Sequence, residues 1–170
     1  MQYRLVYSLA CAEDDTEQQR AEQQAQIDAY FDAYAPAQQR LSKAFRAKFE
    51  DGVFNGFVLR GVALLPKAGN AARRVVLTVE EWEPHVGARI YQITYRGVTS
   101  FCADFSSVEG LCVFQSEVLP CGDGVSHEFL FETQSGQTAT LRVECARIGL
   151  NIENGAAERG EHSACAHNPA

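Results

Sequence analysis

Residues 89–105 carry the longest run of alternating apolar and polar side chains in this chain. One parity is mostly apolar and contains the aromatic residues Tyr91, Tyr95, Phe101 and Phe105. The other parity is mostly polar and contains Gln92, Thr94 and Arg96. Because successive side chains of a strand point to opposite faces, this pattern predicts a strand with one buried face and one face in water. The run is long for one straight strand, so we expect a bend or bulge at Gly97.

Two helices are predicted before this strand. Residues 13–34 contain no Gly or Pro and are rich in Glu, Gln and Ala, which favour a helix. The apolar stripe lies in the second half of this helix and consists of Ile27, Tyr30, Phe31 and Tyr34. Pro36 suits the first turn of a second helix, which we expect to run to about Glu50 and to stop at Gly52. Its predicted buried stripe consists of Leu41, Ala44, Phe45 and Phe49.

The rest of the pattern predicts strands. Tyr3, Leu5 and Tyr7 indicate a strand before the helices. Seven strands are expected after them, at about residues 53–65, 73–83, 89–105, 111–119, 126–133, 138–145 and 148–153. No helical pattern separates these seven, so antiparallel connections are expected. The apolar parity changes after Cys145, which predicts a bulge or corner near Ala146.

These elements predict an α+β fold. Its N-terminal strand and two helices pack on a mostly antiparallel, curled meander sheet of about seven strands. Residues 1–153 are expected to form a single domain. Residues 154–170 are small, polar and without a period, so we expect a flexible C-terminal tail.

The composition limits which classes of partner this chain is suited to bind. The 15 basic and 22 acidic residues give a net charge of −7, which disfavours nucleic acid and anionic membranes and suits a basic protein partner. No stretch has the roughly twenty apolar residues that a membrane span requires. The residues before Cys11 fit an export signal poorly, so we expect a cytoplasmic protein with most of its six cysteines reduced.

Candidate chemistry is sparse. His162, Cys165 and His167 are metal-ligand types in a short span, but they lie in the predicted tail. Cys121 with His127 is a weaker pair, and no Cys–His pair carries a local nucleophile signature. We therefore predict no catalytic residue, no metal and no cofactor. A thiol- or metal-dependent enzyme is the least favoured alternative.

Three sets of residues are candidates for contacts with a partner protein. Trp82 is an aromatic anchor rimmed by Glu80, Glu81 and Glu83, although a strand end with solvated carboxylates and one Trp that covers the core gives the same pattern. The second set is the polar parity Gln92, Thr94 and Arg96. The third is the acidic start of the first helix, which consists of Glu13, Asp14, Asp15 and Glu17. As an alternative, the aromatic parity of residues 89–105 could line a cavity for a small ligand.

The order of elements also resembles small bacterial domains found among polymorphic-toxin immunity proteins. The resemblance covers roughly residues 40–153 and depends on a helix that ends in Phe-Glu-Asp-Gly at 49–52, the strand motif at 93–98, and the run from 141 to 153. Glu50 stands where such domains often have histidine. The resemblance implies binding to a cognate toxin rather than catalysis, and it supplies no catalytic residues.

Overall fold

The computed structural model describes residues 16–50, 52, 54–66, 72–83, 87–133 and 135–153. Helix α1 spans Glu17–Tyr34, a 3-10 helix spans Ala35–Arg40, and α2 spans Lys43–Lys48. Eight strands follow: β1 Val58–Leu65, β2 Arg74–Glu83, β3 Gly87–Arg96, β4 Ser100–Ala103, β5 Cys112–Cys121, β6 Gly124–Glu132, β7 Thr138–Cys145 and β8 Arg147–Glu153. The α+β class is therefore confirmed. The predicted N-terminal strand and C-terminal tail lie outside the described residues.

The prediction of one continuous second helix is wrong. Pro36 does start helical structure, but as a 3-10 helix that ends when Leu41 becomes extended. Leu41 forms a parallel bridge with Ile148, and the Ser42 amide donates to the Ile148 carbonyl at 2.8 Å. Ser42 then caps α2 by accepting a hydrogen bond from the Phe45 amide at 3.2 Å. Pairing with β8 thus outweighs the helical pattern at Leu41.

All neighbouring strands are antiparallel, in the order β4-β7-β6-β5-β1-β2-β3-β8. This order corrects the prediction of a single meander, because β4 pairs with β7 and β3 pairs with β8. We call β1, β2, β3 and β8 the first half of the sheet, and β4, β5, β6 and β7 the second half. The halves are joined at the short β1–β5 pairing and through the chain itself.

Two corners carry the chain from one half to the other. The β3–β4 corner lies at Gly97, which has a φ of 68° and confirms the predicted bend. The β7–β8 corner lies at Ala146, also as predicted. The Ala146 amide donates to the carbonyls of Arg96 and Gly97 at 3.0 and 3.2 Å, so the two corners meet. The break at Gly97 is why eight strands form where seven were expected.

The two halves face each other across an aromatic core. Tyr95 on β3 and His127 on β6 are not sheet neighbours, yet the Tyr95 hydroxyl lies 2.9 Å from His127 Nδ1. Phe45 and Phe49 from α2 insert between the halves and contact Phe54. The inner parities of both halves are buried, as the alternating pattern predicts.

Segments of the helical region cover part of β5 and the edge of β8. The Tyr30 hydroxyl of α1 accepts a hydrogen bond from the Val118 amide of β5 at 3.4 Å. The chain at Leu41 and Ser42 covers the edge of β8. These contacts thus occupy backbone groups of β5 and β8 that could otherwise pair with another chain. Among the described helices, none is long and apolar enough to cross a membrane.

Candidate functional site

Strand register brings two of the predicted partner-binding sets onto one surface. Gln92 pairs with Thr78, Thr94 with Val76, and Arg96 with Arg74. Paired residues of an antiparallel ladder share a face, and alternate residues of one strand do too. Trp82, Glu80, Gln92, Thr94 and Arg96 therefore all belong to the solvent-side face of the first half, which we call the outer face.

Trp82 lies at one end of the outer face. Its exposed fraction is 54%, which is high for the largest apolar side chain. Ala88 lies directly opposite on β3. Ala88 contributes only a methyl group on this side, and more than half of the Trp82 side chain is exposed to water.

The acidic residues around Trp82 are engaged within the protein. Glu80 accepts two hydrogen bonds from Arg60, at 3.1 Å from Nε and 2.8 Å from Nη2. Glu81 lies on the opposite parity, where it accepts hydrogen bonds of 2.7 Å from both Lys48 Nζ and the Tyr91 hydroxyl. Burial raises the pKa of Tyr91, and its hydrogen bond to Glu81 adds to this. Burial alone lowers the pKa of Lys48, but its contacts with Glu81 outweigh this effect and raise it.

The remaining candidates are distributed elsewhere. Glu83 is the last residue of β2, and its side chain does not belong to the described part of the structure. Glu17 is exposed in the first turn of α1, which Thr16 and Gln19 close with a reciprocal capping box. Glu13, Asp14 and Asp15 precede the described residues. The structure thus places Trp82 and Glu80 on one face with the second candidate set and Glu81 on the opposite face, and it describes only Glu17 of the third set.

At the opposite end of the outer face is a feature that the sequence reasoning missed. Arg74 pairs with Arg96, and Arg96 pairs with Arg147, so three arginines form one row across β2, β3 and β8. All three side chains are exposed. Parity did mark each as outward-facing, but the residues are far apart in sequence, and only the register aligns them.

A groove of about 470 Å³ begins at this row and runs between β3–β8 and the chain at the 3-10 helix. Its described lining residues include the arginines Arg40, Arg96 and Arg147, and none of the described lining residues is acidic. Further polar lining comes from Gln39, Ser42, Thr94 and Asn151. The groove is therefore a basic site on an acidic protein.

The buried polar residues lie elsewhere, in the core. His127 is fully buried, its Nε2 has no hydrogen-bond partner, and burial lowers its pKa to about 3. Burial also raises the pKa of Tyr95 well above its usual value and that of Cys145 to about 12. His127 is thus held as a neutral residue among aromatic rings.

The thiols and metal-ligand types have separate positions. Cys121 is partly exposed at the end of β5, whereas His127 points into the core. Within the described residues, no group of three or more His, Cys, Asp or Glu side chains is arranged to hold a metal. His162, Cys165 and His167 lie outside those residues.

Cys102, Cys121 and Cys145 are free thiols, whereas the prediction that most of the six cysteines are reduced stays a prediction. Cys112 is disulfide-bonded, and its partner is not among the described residues. A structural disulfide is typical of an oxidising compartment, so this bond differs from what a cytoplasmic location leads us to expect.

The aromatic parity predicted as a possible cavity lining mainly contributes to packing. Tyr91 and Tyr95 have no exposed area, and their rings contact neighbouring aromatic rings. Phe101 and Phe105 pack against the core from its margin. Comparison with known protein families, curated proteins and solved structures finds no match to this chain.

Proposed function

We propose that this chain is a non-enzymatic protein-binding module that engages its partner through the outer face. The exposed Trp82 is the observation that carries the proposal. Tryptophan is enriched among the few residues that dominate binding energy at protein interfaces, because its large rigid ring is desolvated on docking. An immunity-type role, in which the partner is a cognate toxin, is the form of this function that the resemblance favours.

The charges near Trp82 suit the polar rim of such an interface. Glu80 and Arg60 form a partly exposed ion pair, in which the Arg60 side chain is 44% exposed and that of Glu80 13%. Exposed pairs of this kind contribute only about 0–1 kcal/mol, so a partner can rearrange them at small cost. The net charge of −7 favours encounter with a basic protein.

The proposed setting stays the bacterial cytoplasm, although the disulfide at Cys112 is typical of an oxidising compartment, and the proposal involves no nucleic acid, membrane or cofactor. A curled sheet that binds a small ligand stays the second prediction.

Calorimetric titration against the secreted toxin encoded by a neighbouring gene tests the proposal. We expect a complex at micromolar concentration or tighter. Trp82→Ala should weaken it by about 2 kcal/mol or more, which is roughly 30-fold. The matched control is Ile152→Ala, because Ile152 is 51% exposed but pairs with the buried Tyr91 and so belongs to the other face.

The control should bind like the unchanged protein. Absence of a complex removes the toxin as the partner. A complex that Trp82→Ala leaves intact removes the outer face as the binding surface.

A further inference from the structure

We propose that the basic groove beside β8 binds the phosphate group of a small ligand. The groove is lined by Arg40, Arg96 and Arg147 and lies at the end of the outer face opposite Trp82. The site goes beyond the proposed function, because a small phosphorylated ligand occupies it with or without a protein partner.

The arrangement of charges is the first support. Like charges placed directly opposite each other on neighbouring strands are destabilising. Arg96 has an arginine opposite it on both sides, Arg74 on β2 and Arg147 on β8. Arg40 then lines the same groove from the far side of β8. Folding thus concentrates positive charge where an alternating pattern would have cancelled it.

Nothing in the described part of the chain neutralises this charge. The ion pairs there use Lys48, Arg60 and Arg142, and none of the groove arginines. None of the described residues that line the groove carries a carboxylate. An anion is the counter-charge that fits this row of arginines.

The shape of the groove is the second support. Gly149 lies between Arg147 and Asn151 on the same face of β8. Its backbone has an ordinary φ, and a Cβ there would meet only the Thr94 carbonyl oxygen, at 3.8 Å. The fold therefore does not require glycine. A glycine within a strand often marks close approach of a ligand, and here it leaves the floor of the groove open.

The lining selects the ligand class. Guanidinium groups bind phosphate oxygens with paired, charge-assisted hydrogen bonds. Ser42 and Thr94 add hydroxyl groups, and Gln39 and Asn151 add amide groups that can bond to the rest of the ligand. The volume of about 470 Å³ lies in the range of small-molecule sites. A phosphorylated metabolite-sized molecule matches both charge and size.

Thermal unfolding of the full chain with added ligand tests the site. The probes are inorganic phosphate, a sugar monophosphate and a phosphoserine peptide, each at up to about 10 mM in low salt, where exposed charges are least screened. Sodium chloride at equal ionic strength and the unphosphorylated sugar and peptide are the blanks. A ligand that binds the folded state raises the unfolding midpoint with its concentration.

We expect the phosphorylated probes, and not the blanks, to raise the midpoint. Arg96→Gln or Arg147→Gln should weaken binding about tenfold or more, because each removes a charge-assisted hydrogen-bond donor. Arg20→Gln is the matched control, since Arg20 is exposed on α1 and its loss changes the net charge equally. Gly149→Val should also weaken binding while it leaves all arginines in place.

Each remaining outcome is decisive. Tighter binding of the sugar phosphate than of the phosphopeptide supports the small ligand, whereas the reverse overturns it in favour of a phosphorylated protein partner. The proposal is overturned if no probe exceeds the blanks. It is equally overturned if Arg20→Gln weakens binding as much as Arg96→Gln does, because attraction to overall charge then explains the effect.

Discussion

The outer surfaces of the two halves of the sheet use arginine in opposite ways. In the second half, Arg142 lies 3.3 Å from Glu128 and 2.7 Å from Glu144, so one cation is placed between two carboxylates. In the first half, Arg96 lies between two further arginines. The same kind of antiparallel ladder thus produces a paired arginine in the second half and an uncompensated row of arginines around Arg96 in the first half, whose other end carries the Arg60–Glu80 ion pair.

This difference separates structural charges from candidate binding charges. Alternating charges across strands satisfy one another and need no ligand. A row of like charges is retained against a small cost in stability, so another contribution must offset that cost. The basic groove is therefore a stronger candidate for a ligand than the groove of about 290 Å³ on the second half, where Glu128 and Arg142 already pair.

The largest expected effect concerns the place where the two halves meet. His127 has a pKa of about 3 in the folded protein and about 6.5 when exposed. His127 therefore binds a proton in the unfolded chain below about pH 6.5, whereas in the folded chain it stays neutral down to about pH 3. The contribution of neutral His127 to the free energy of unfolding is fully present above pH 6.5. It should fall by about 1.4 kcal/mol per pH unit as the pH is lowered towards 3.

Denaturant unfolding of His127→Gln across this window should show that part of the pH dependence removed. Tyr95→Phe is the control, since it removes the hydroxyl bonded to His127 but leaves the imidazole to titrate. A pH profile of His127→Gln that matches the unchanged protein would contradict the buried neutral histidine.

Breaking the corner between the halves should have the next largest effect. Gly97 has a φ of 68°, and a Cβ there would lie 2.9 Å from the Ala146 Cβ. Gly97→Val should lower the free energy of unfolding by about 1–3 kcal/mol, because a branched residue is strained at positive φ. Chemical denaturation measures this change. Gly149→Ala, which meets no close atom, should differ from the unchanged protein by less than half as much.

The smallest effect compares the two charge patterns directly. Arg142→Gln should destabilise the protein by a few tenths of a kcal/mol up to about 1 kcal/mol, because it removes exposed ion pairs. Arg147→Gln should stabilise the ligand-free protein by about 0.2–1 kcal/mol, because it relieves like-charge repulsion with Arg96. Denaturant unfolding at low salt should give changes in the free energy of unfolding that have opposite signs for the two variants. Changes of the same sign would remove the contrast between the halves.

Side-chain periodicity was sufficient for much of the architecture. Alternation located the strands, and the change of parity after Cys145 located the corner at Ala146. The glycine at position 97, which has no Cβ, predicted the bend there. These features depend on residues within a few positions of each other, where the geometry of a single strand controls which side chains can be buried.

Long-range pairing produced the features that periodicity could not supply. Leu41 fits a helical stripe, yet its bridge to Ile148 splits the predicted helix. Glu81 follows the pattern of a solvated acid, but α2 brings Lys48 to it. In both cases a partner more than thirty positions away overrides the local preference.

The candidate sites show the same division. Local sequence identified Trp82 and the polar parity of β3 as outward-facing. It did not reveal that Trp82 and the polar parity share one face, nor that Arg74, Arg96 and Arg147 form a row. Both features depend on strand register, because a shift of one residue in a strand pairing reverses which face each side chain occupies. Composition set the overall charge at −7, and the register of β2, β3 and β8 decided where positive charge would collect.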